Sequence, residues 1–223
     1  NYEFAQELAD FSFTSNTPEH FHIGGYTDVW GCRWENLIDG MHPIVTQNPI
    51  KNLEDMKNFK APAEDDMTPH GFMYLRILDL LGFENAMIAF AEEPPELQTL
   101  IDTIKEYNIE KISARIQNYG KIAFLGDDLG MQTGLAIGAK KWRKYIGPAF
   151  TEIFDVFHKA GKYVYMHTDG RIFEIIPDLH KAGADIINPQ YRANGIDNLV
   201  RVCKGKIPID LITFADTGAE HPH

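Results

Sequence analysis

From Lys121 onward the sequence alternates between short apolar runs and helical segments, and this alternation restricts the fold more than any other feature. The apolar runs are short enough to be strands that are buried on both faces. There are four of them: Ile122–Leu125, Tyr163–Met166, Ile186–Ile187 and Ile207–Leu211. Because strands separated by helices need crossover connections, the sheet is predicted to be parallel. A (β/α)8 barrel and a doubly wound open sheet are the two architectures to choose between.

The residues that follow the strands favour the barrel. No Gly-x-Gly-x-x-Gly sequence follows any predicted strand, which argues against a dinucleotide-binding open sheet. Scattered acids, a histidine and amides stand at the strand ends instead, as is typical of the top face of a (β/α)8 barrel. A barrel normally needs about 250 residues and eight strands. The predicted fold is therefore an α/β barrel of the TIM type, incomplete at both ends, formed by residues 1–223 as a single domain.

Helices are predicted from caps, prolines and apolar periodicity. Their ranges are Leu53–Phe59, Pro69–Gly82 with Thr68 as the cap, Pro95–Gly120, Ala139–Ala160 with a kink or break at Pro148, Ile172–Gly183 with Pro177 either near a turn boundary or bending the helix, and Ile196–Cys203. The first 70 residues are aromatic and are predicted to be rich in loops.

Composition and charge exclude several classes of function. The formal net charge of −11 disfavours nucleic acid or an anionic membrane as the main partner. No apolar run is long enough for a transmembrane helix. The only two cysteines, Cys32 and Cys203, resemble neither a disulfide framework nor a Cys-x-x-Cys site, which indicates a reducing cytoplasm. The chain begins at Asn1 with neither an initiator methionine nor a signal segment, as a fragment of a longer protein would.

Polar residues follow three of the predicted strands. The clusters are Gly126-Asp127-Asp128, His167-Thr168-Asp169 and Asn188-Pro189-Gln190. In a barrel, neighbouring βα loops would bring them into one pocket. Carboxylates and histidines can act as general acids or bases, so Asp127, Asp128 and His167 are candidate catalytic residues. Each also has a structural interpretation, because a carboxylate after a strand often caps the next helix and a histidine there can belong to the core.

His167 and Asp169 are also a candidate metal pair. Residues i and i+2 of a strand lie on the same face, so both side chains could reach one zinc ion. Two ligands do not make a zinc site, however, and no other motif supplies a clear third ligand.

The remaining candidates would bind substrate. Asn188 and Gln190 are candidates for orienting it, and Gln132 is a further binding candidate. Trp30 could line the pocket together with Tyr26 and Trp34, although packing in the core is an equally good interpretation of these aromatic residues.

Three stretches of the sequence resemble the uroporphyrinogen decarboxylase superfamily. They are "FLGDDLGMQTGL", the long segment from "KKWRKYIGPAF" to "HTDGRIFEIIPDLHKAGADIINPQ", and "DVWGCRW" with "PIKNLEDMKNFKAP". The resemblance covers roughly Asp28 to Leu211 and is greater to the corrinoid-dependent methyltransferase-like branch. It implies a (β/α)8 barrel whose pocket binds a small methylated substrate, with a cobalamin carried by a partner corrinoid protein. The tail, residues 212–223, does not resemble the family.

The resemblance also implies a zinc site, with one departure. Many of these methyltransferases hold zinc through a His-x-Cys motif and a later cysteine. His167 matches the family's histidine, but Asp169 stands where the cysteine would be. An oxygen ligand makes a more Lewis-acidic metal, which suits a methyl ether better than a thiol. The hypothesis is therefore methyl transfer of the O-demethylation type.

Two alternatives stay open at this point. One is decarboxylation of a tetrapyrrole acid, although the arginine-rich loop and the nearby aspartate that the resemblance would imply for it do not occur in this sequence. The other is an inactive, truncated barrel that only binds a ligand or a partner. A second copy of the chain is a candidate partner for the exposed sheet edges of such a barrel.

Overall fold

The computed structural model describes residues 22–211, and its first element is a small antiparallel sheet. Strands β1 (Gly24–Thr27), β2 (Arg33–Asn36) and β3 (Ile44–Gln47) pair in the order β1-β2-β3. The sequence predicted loops here, because strands of four residues with mixed polarity carry no clear alternating pattern. The predicted atypical tail, 212–223, lies outside the described residues.

Four helices follow this sheet. They are α1 (Leu53–Asn58), α2 (Tyr74–Leu81), α3 (Phe83–Glu92) and α4 (Pro95–Arg115). The prediction of α4 is confirmed: Pro95 lies in its first turn, where a missing N–H costs nothing, and a 3₁₀ turn extends it to Asn118. The prediction of α1 is also confirmed, and the side chain of Asn52 caps it.

The helix predicted to start at Pro69 begins only at Tyr74. The backbone N–H of Gly126 donates to the Pro69 carbonyl at 2.7 Å, and the Gly71 N–H donates to the Gly126 carbonyl at 2.8 Å. These bonds hold the segment extended beside a strand and outweigh its local resemblance to a capped helix start. The segment thereby brings His70 to the edge of the main sheet.

The main sheet is parallel, as predicted. Its strands are β4 (Ile122–Gly126), β5 (Tyr163–Thr168) and β6 (Ile186–Pro189), in the order β4-β5-β6. His70 bridges to β4 on one side and Ile209 bridges to β6 on the other. The predicted strand Ile207–Leu211 is thus reduced to a single bridge, and Pro208, which lacks an N–H, can only accept there. Residues 22–211 contain an open parallel sheet and no closed barrel.

Helices connect the parallel strands. They are α5 (Gly138–Lys141), a π-helical turn (Trp142–Ile146), α6 (Gly147–Lys159), α7 (Ile176–Ala182), α8 (Tyr191–Asn194) and α9 (Ile196–Cys203). The break predicted near Pro148 is confirmed: the π-helical turn ends at Ile146, and Pro148 lies in the first turn of α6, which begins at Gly147. The helix predicted from Ile172 begins only at Ile176. Pro177 lies in its first turn, so of the two predicted positions for this proline the turn boundary is confirmed.

The two faces of the parallel sheet belong to different apolar clusters. Alternate residues such as Leu125 and Met166 pack with the helices in the main core. The residues between them form a second cluster around Tyr165 and Ile186. Because side chains alternate along a strand, His167 lies on the same face as Tyr165, and Asn188 on the same face as Ile186. The sheet face that carries Tyr165 and Ile186 therefore ends in the polar side chains of His167 and Asn188.

The two cysteines and the lengths of the helices bear on two predictions from composition. Cys32 and Cys203 are both buried and free, in agreement with the absence of a disulfide. Within 22–211 the helices are all too short or too polar to cross a bilayer.

Replacing Asp79 by asparagine should stabilise the chain at neutral pH. Burial on α2, opposed by the charge of Arg76 and assisted by that of Asp28, raises the pKa of Asp79 from 3.8 to about 6. Folding therefore favours the protonated carboxyl; this contribution is present below pH 3.8 and is lost as the pH rises through about 6. Urea unfolding should show Asp79→Asn more stable by about 1–3 kcal/mol at pH 7 and equal to the original chain near pH 4.

The exposed Asp197 on α9 provides the control. Asp197→Asn should change the free energy of unfolding by less than about 0.5 kcal/mol at either pH. An Asp79→Asn variant that is less stable than the original chain at pH 7 would contradict the prediction.

Candidate active site

Three side chains meet at the carboxyl end of the parallel sheet. One potential ligand atom from each of His70, Asp128 and His167 lies within 4.8 Å of the others. His70 comes from the edge segment before α2, Asp128 from the loop after β4, and His167 from β5. Two imidazoles and a carboxylate are a donor set that can hold a divalent metal.

The sheet register explains why these groups meet. His70 bridges to Gly126, Gly126 pairs with His167, and His167 pairs with Asn188. These residues form one row across the sheet. Gly126 leaves a gap in this row, and the two histidine rings approach across it to 6.0 Å between centroids. A Cβ on Gly126 would lie 2.5 Å from Cδ2 of His70, so the His70 position requires glycine here.

Sequence reasoning missed His70. The residue stands 56 positions before Gly126 and in no apolar run, so periodicity could not place it at the sheet. The only sequence signal was the Pro-His-Gly tripeptide, Pro69–Gly71, and a proline after Thr68 is equally typical of the start of a helix.

His70 and Asp128 form an ion pair. Nε2 of His70 lies 3.3 Å from Oδ1 of Asp128. Burial alone would lower the pKa of His70, but the hydrogen bond to Asp128 and the charges of Asp128, Asp127 and Asp169 raise it overall. Burial likewise works to raise the pKa of Asp128, but the His70 contact and the Asp169 N–H hold it below its usual range. In the metal-free chain both shifts favour the charged form of each group.

Asp169 lies beside the cluster and outside the set of three. Its Oδ1 is 3.8 Å from Nε2 of His167, and its side chain is about half exposed at 49%. Its backbone N–H donates to Oδ1 of Asp128 at 3.1 Å. Burial and the charge of Asp128 raise the pKa of Asp169, against the two histidines. The sequence paired His167 with Asp169 as metal ligands, whereas the structure groups His167 with His70 and Asp128.

The contacts of Asp127 are those of the structural interpretation, which the sequence left open beside a catalytic role. The side chain is fully buried, and its two oxygens accept the backbone N–H groups of Tyr74 at 2.5 Å and Leu75 at 2.9 Å. A carboxylate suits the positive end of a helix, so Asp127 caps α2. Burial nevertheless raises its pKa, against these two hydrogen bonds. Asp127 thus fixes the position of α2, which follows His70.

The four predicted substrate-binding residues lie in different surroundings. Gln132 is exposed in the turn between Met131 and Gly134. Trp30 is buried in the core, where it packs on Phe59 and Tyr107, and this placement contradicts a role in the pocket.

The other two substrate-binding candidates are closer to the cluster. Gln190 accepts the Gly170 N–H through Oε1 at 3.2 Å and so braces the loop after β5. Asn188 bonds His167 directly, with 2.6 Å between Oδ1 and Nδ1.

Tyr26 and Trp34, the other aromatic candidates, stack on each other in the antiparallel sheet. The indole N–H of Trp34 donates to Asp28, which also pairs with Arg76. These contacts agree with the packing interpretation of the two rings.

Two glycines fix the loops after β4 and β5 against each other. Gly130 donates its N–H to the Asp169 carbonyl. Gly170 has φ +79°, and a Cβ there would overlap the Gly130 carbonyl oxygen. This close backbone contact keeps Asp128 and Asp169 side by side.

Comparison with known proteins identifies the family of this chain. The profile of the family "Uroporphyrinogen decarboxylase (URO-D)" matches residues 78–207, more than half of the 223-residue chain. The chain belongs to the uroporphyrinogen decarboxylase family. The matched range contains two members of the cluster, Asp128 and His167, while His70 precedes it.

A solved structure extends the likeness beyond the matched range. The fold is similar to that of a methyltransferase from Methanosarcina mazei, with a TM-score of 0.60 and 13% identity over 81% of this chain. This chain spans 59% of the length of that structure. At this identity the likeness concerns the fold alone. A search of curated protein sequences finds no significant match.

Proposed function

We propose that this chain is part of a methyltransferase that moves a methyl group from a small methylated substrate to a corrinoid held by a partner protein. The observation that carries the proposal is the cluster of His70, Asp128 and His167 at the carboxyl end of a parallel sheet. Membership of the family and the fold of the Methanosarcina mazei methyltransferase support it. In the same proposal the open sheet is part of a (β/α)8 barrel.

The donor chemistry of the cluster fits a zinc ion. Catalytic zinc sites commonly use three protein ligands, such as two histidines and one carboxylate, and leave a fourth position for water or substrate. His70, Asp128 and His167 match this set, and they meet at the strand ends, where such folds bind their ligands. Asp169 lies beside His167 and its side chain is half exposed. It would face the water or substrate at the fourth position of the ion.

When bound, zinc would supply a Lewis acid that polarises an electron-rich atom of the substrate. The chain's own residues would do the rest. His70 and Asp128 are held close together, because Gly126 leaves the room that the His70 ring needs and the Asp169 N–H bonds Asp128. Asp169, whose carboxyl group is half exposed beside His167, would hold or release a proton beside the substrate.

The type of ligand atom in the cluster indicates which class of substrate the metal would bind. None of the three ligands in this cluster is a sulfur, in contrast to the His-x-Cys motif that the family resemblance implies. Oxygen and nitrogen ligands leave zinc harder than thiolates do, and a harder ion prefers oxygen. We therefore propose a methyl ether or a similar oxygen-bound methyl group as the donor, rather than a thioether.

Methyl transfer should be measured directly. The zinc-loaded chain is mixed with cob(I)alamin and with aryl methyl ethers, and methylcobalamin formation is followed by absorbance. We expect methylation that requires zinc. A chain that binds zinc one to one but methylates cob(I)alamin from neither ethers nor thioethers would contradict the proposed reaction.

Tetrapyrrole decarboxylation is the second candidate, because it is the activity that names the family. Its substrate carries four acetates, which need several cationic partners, whereas the cluster here contains acids and histidines. Release of carbon dioxide from uroporphyrinogen would support this candidate. Inactivity in both assays, with ligand binding retained, would support a non-catalytic barrel.

Replacing Gly126 by alanine should disturb the cluster without removing any ligand. The added methyl group would overlap His70 at 2.5 Å from Cδ2 and displace its ring. We expect zinc affinity, measured by competition with a chelating dye, to fall about 10–100-fold, as when the support of a ligand is lost. Gly120 is a matched control, because a Cβ there would meet no atom closer than 3.8 Å. Equal losses in Gly126→Ala and Gly120→Ala would contradict the proposed position of His70.

A further inference from the structure

The hydrogen bonds of Asn188 bear on which nitrogen of His167 carries the proton. Asn188 is 6% exposed and pairs with His167 in the register of β5 and β6. Its Oδ1 lies 2.6 Å from Nδ1 of His167. A neutral imidazole has one N–H and one bare nitrogen, and the partner of Nδ1 decides which is which.

The amide of Asn188 can be oriented in one way only. Its Nδ2 donates to the backbone carbonyl of Asp210 at 2.8 Å. If the amide were reversed, Oδ1 would face that carbonyl, and two acceptors would stand against each other. Oδ1 must therefore face His167, where it can only accept, so Nδ1 carries the proton.

Asp210, whose carbonyl fixes the amide of Asn188, is itself held by two hydrogen bonds. The backbone N–H of Asp210 donates to the Ile187 carbonyl at 2.9 Å. The carboxylate of Asp210 accepts the hydroxyl of Tyr165 at 2.8 Å. A chain of hydrogen bonds thus runs from β5 through Asp210 and Asn188 back to His167. The strand-edge segment around Ile209, rather than a loop, sets the orientation of the amide.

We propose that Asn188 is a positioning residue that fixes the Nδ1–H tautomer of His167 and leaves Nε2 bare. Nε2 faces Asp169 at 3.8 Å, on the side where the cluster is open. A metal ion or a proton donor needs a histidine nitrogen that carries no proton. A partner that accepts from the other ring nitrogen fixes the tautomer and raises the basicity of the imidazole. Asn188 would then act through His167 and not by binding substrate. The link to zinc rests on the proposed function, whereas the tautomer does not.

The tautomer can be measured without metal. Long-range ¹H–¹⁵N NMR of the histidine-labelled, metal-free chain at pH 8 distinguishes the two tautomers. We expect His167 in the Nδ1–H form in the original chain. In Asn188→Leu, which has a similar volume but no acceptor, we expect this form to be lost. Asn188→Asp keeps an acceptor for Nδ1 but sets its second oxygen against the Asp210 carbonyl, so it should retain the Nδ1–H form although the chain becomes less stable.

Zinc affinity gives the second measurement. We expect it to fall about 10–100-fold in Asn188→Leu and to be restored in Asn188→Asp. Asn198→Leu is a matched control on α9, where Asn198 donates to the Asn194 carbonyl and accepts from Arg201. Should Asn188→Leu fail to fold, the original chain and Asn188→Asp still decide the matter.

The outcomes separate this inference from the proposed function. An Nε2–H form or a mixture in the original chain would overturn the inference, whatever the metal result. The expected tautomer in a chain that binds no zinc would leave the inference standing and overturn the proposed metal site.

Discussion

Zinc binding is expected to be lost when either histidine of the cluster is replaced by alanine. In the proposed site His70 and His167 are two of the three ligands, and the remaining two groups would not hold the ion tightly. The loss of affinity in His70→Ala and in His167→Ala should exceed the roughly 100-fold that removal of an outer partner can cost. Titration of the metal-free protein with zinc against a chelating dye measures it, and metal analysis of the purified protein checks it.

His22 provides the matched control, since it is exposed and pairs only loosely with Asp39 at 3.7 Å. His22→Ala should bind zinc as the original chain does. All three variants should unfold at similar urea concentrations if the effect is local. Zinc affinity that survives in His167→Ala would remove the site from this cluster, and survival in His70→Ala alone would return Asp169 to the ligand set.

Replacing Gly170 by alanine should destabilise the chain strongly, for two separate reasons. Gly170 has φ +79°, which costs an alanine about 1–2 kcal/mol, and the new methyl group would overlap the Gly130 carbonyl. That overlap involves backbone atoms, which cannot rotate away as a side chain can. We expect Gly170→Ala to lose about 3 kcal/mol or more of unfolding free energy in urea, a large part of a domain's stability.

Gly161 separates the two causes of this loss. Its φ is +72°, but a Cβ there would meet no atom within 4 Å. Gly161→Ala should therefore lose only the conformational part, about 1–2 kcal/mol. If Gly170→Ala and Gly161→Ala are equally destabilised, the close contact with Gly130 does not exist in solution.

The order and type of the α/β elements could be predicted from the sequence. The apolar runs around Ile122, Tyr163 and Ile186 became neighbouring parallel strands, and α9 matched its predicted range. These signals are local, because a short buried strand needs a run of apolar residues and a helix needs its periodicity. Predictions failed where long-range pairing decided the backbone, as at Pro69, which Gly126 holds extended.

The same distinction between local signals and long-range pairing applies to the candidate site. The sequence alone determined that Asp128 and His167 follow or end parallel strands, and that such strand ends share one face. Only the tertiary structure brought in His70, buried Asp127 beneath α2, placed Trp30 in the core and left Asp169 outside the cluster of His70, Asp128 and His167. The physical reason is that a strand end can be recognised from neighbouring residues, whereas a side chain's partners depend on register across the sheet. The gap that Gly126 leaves between the two histidines exists only once these strands are paired.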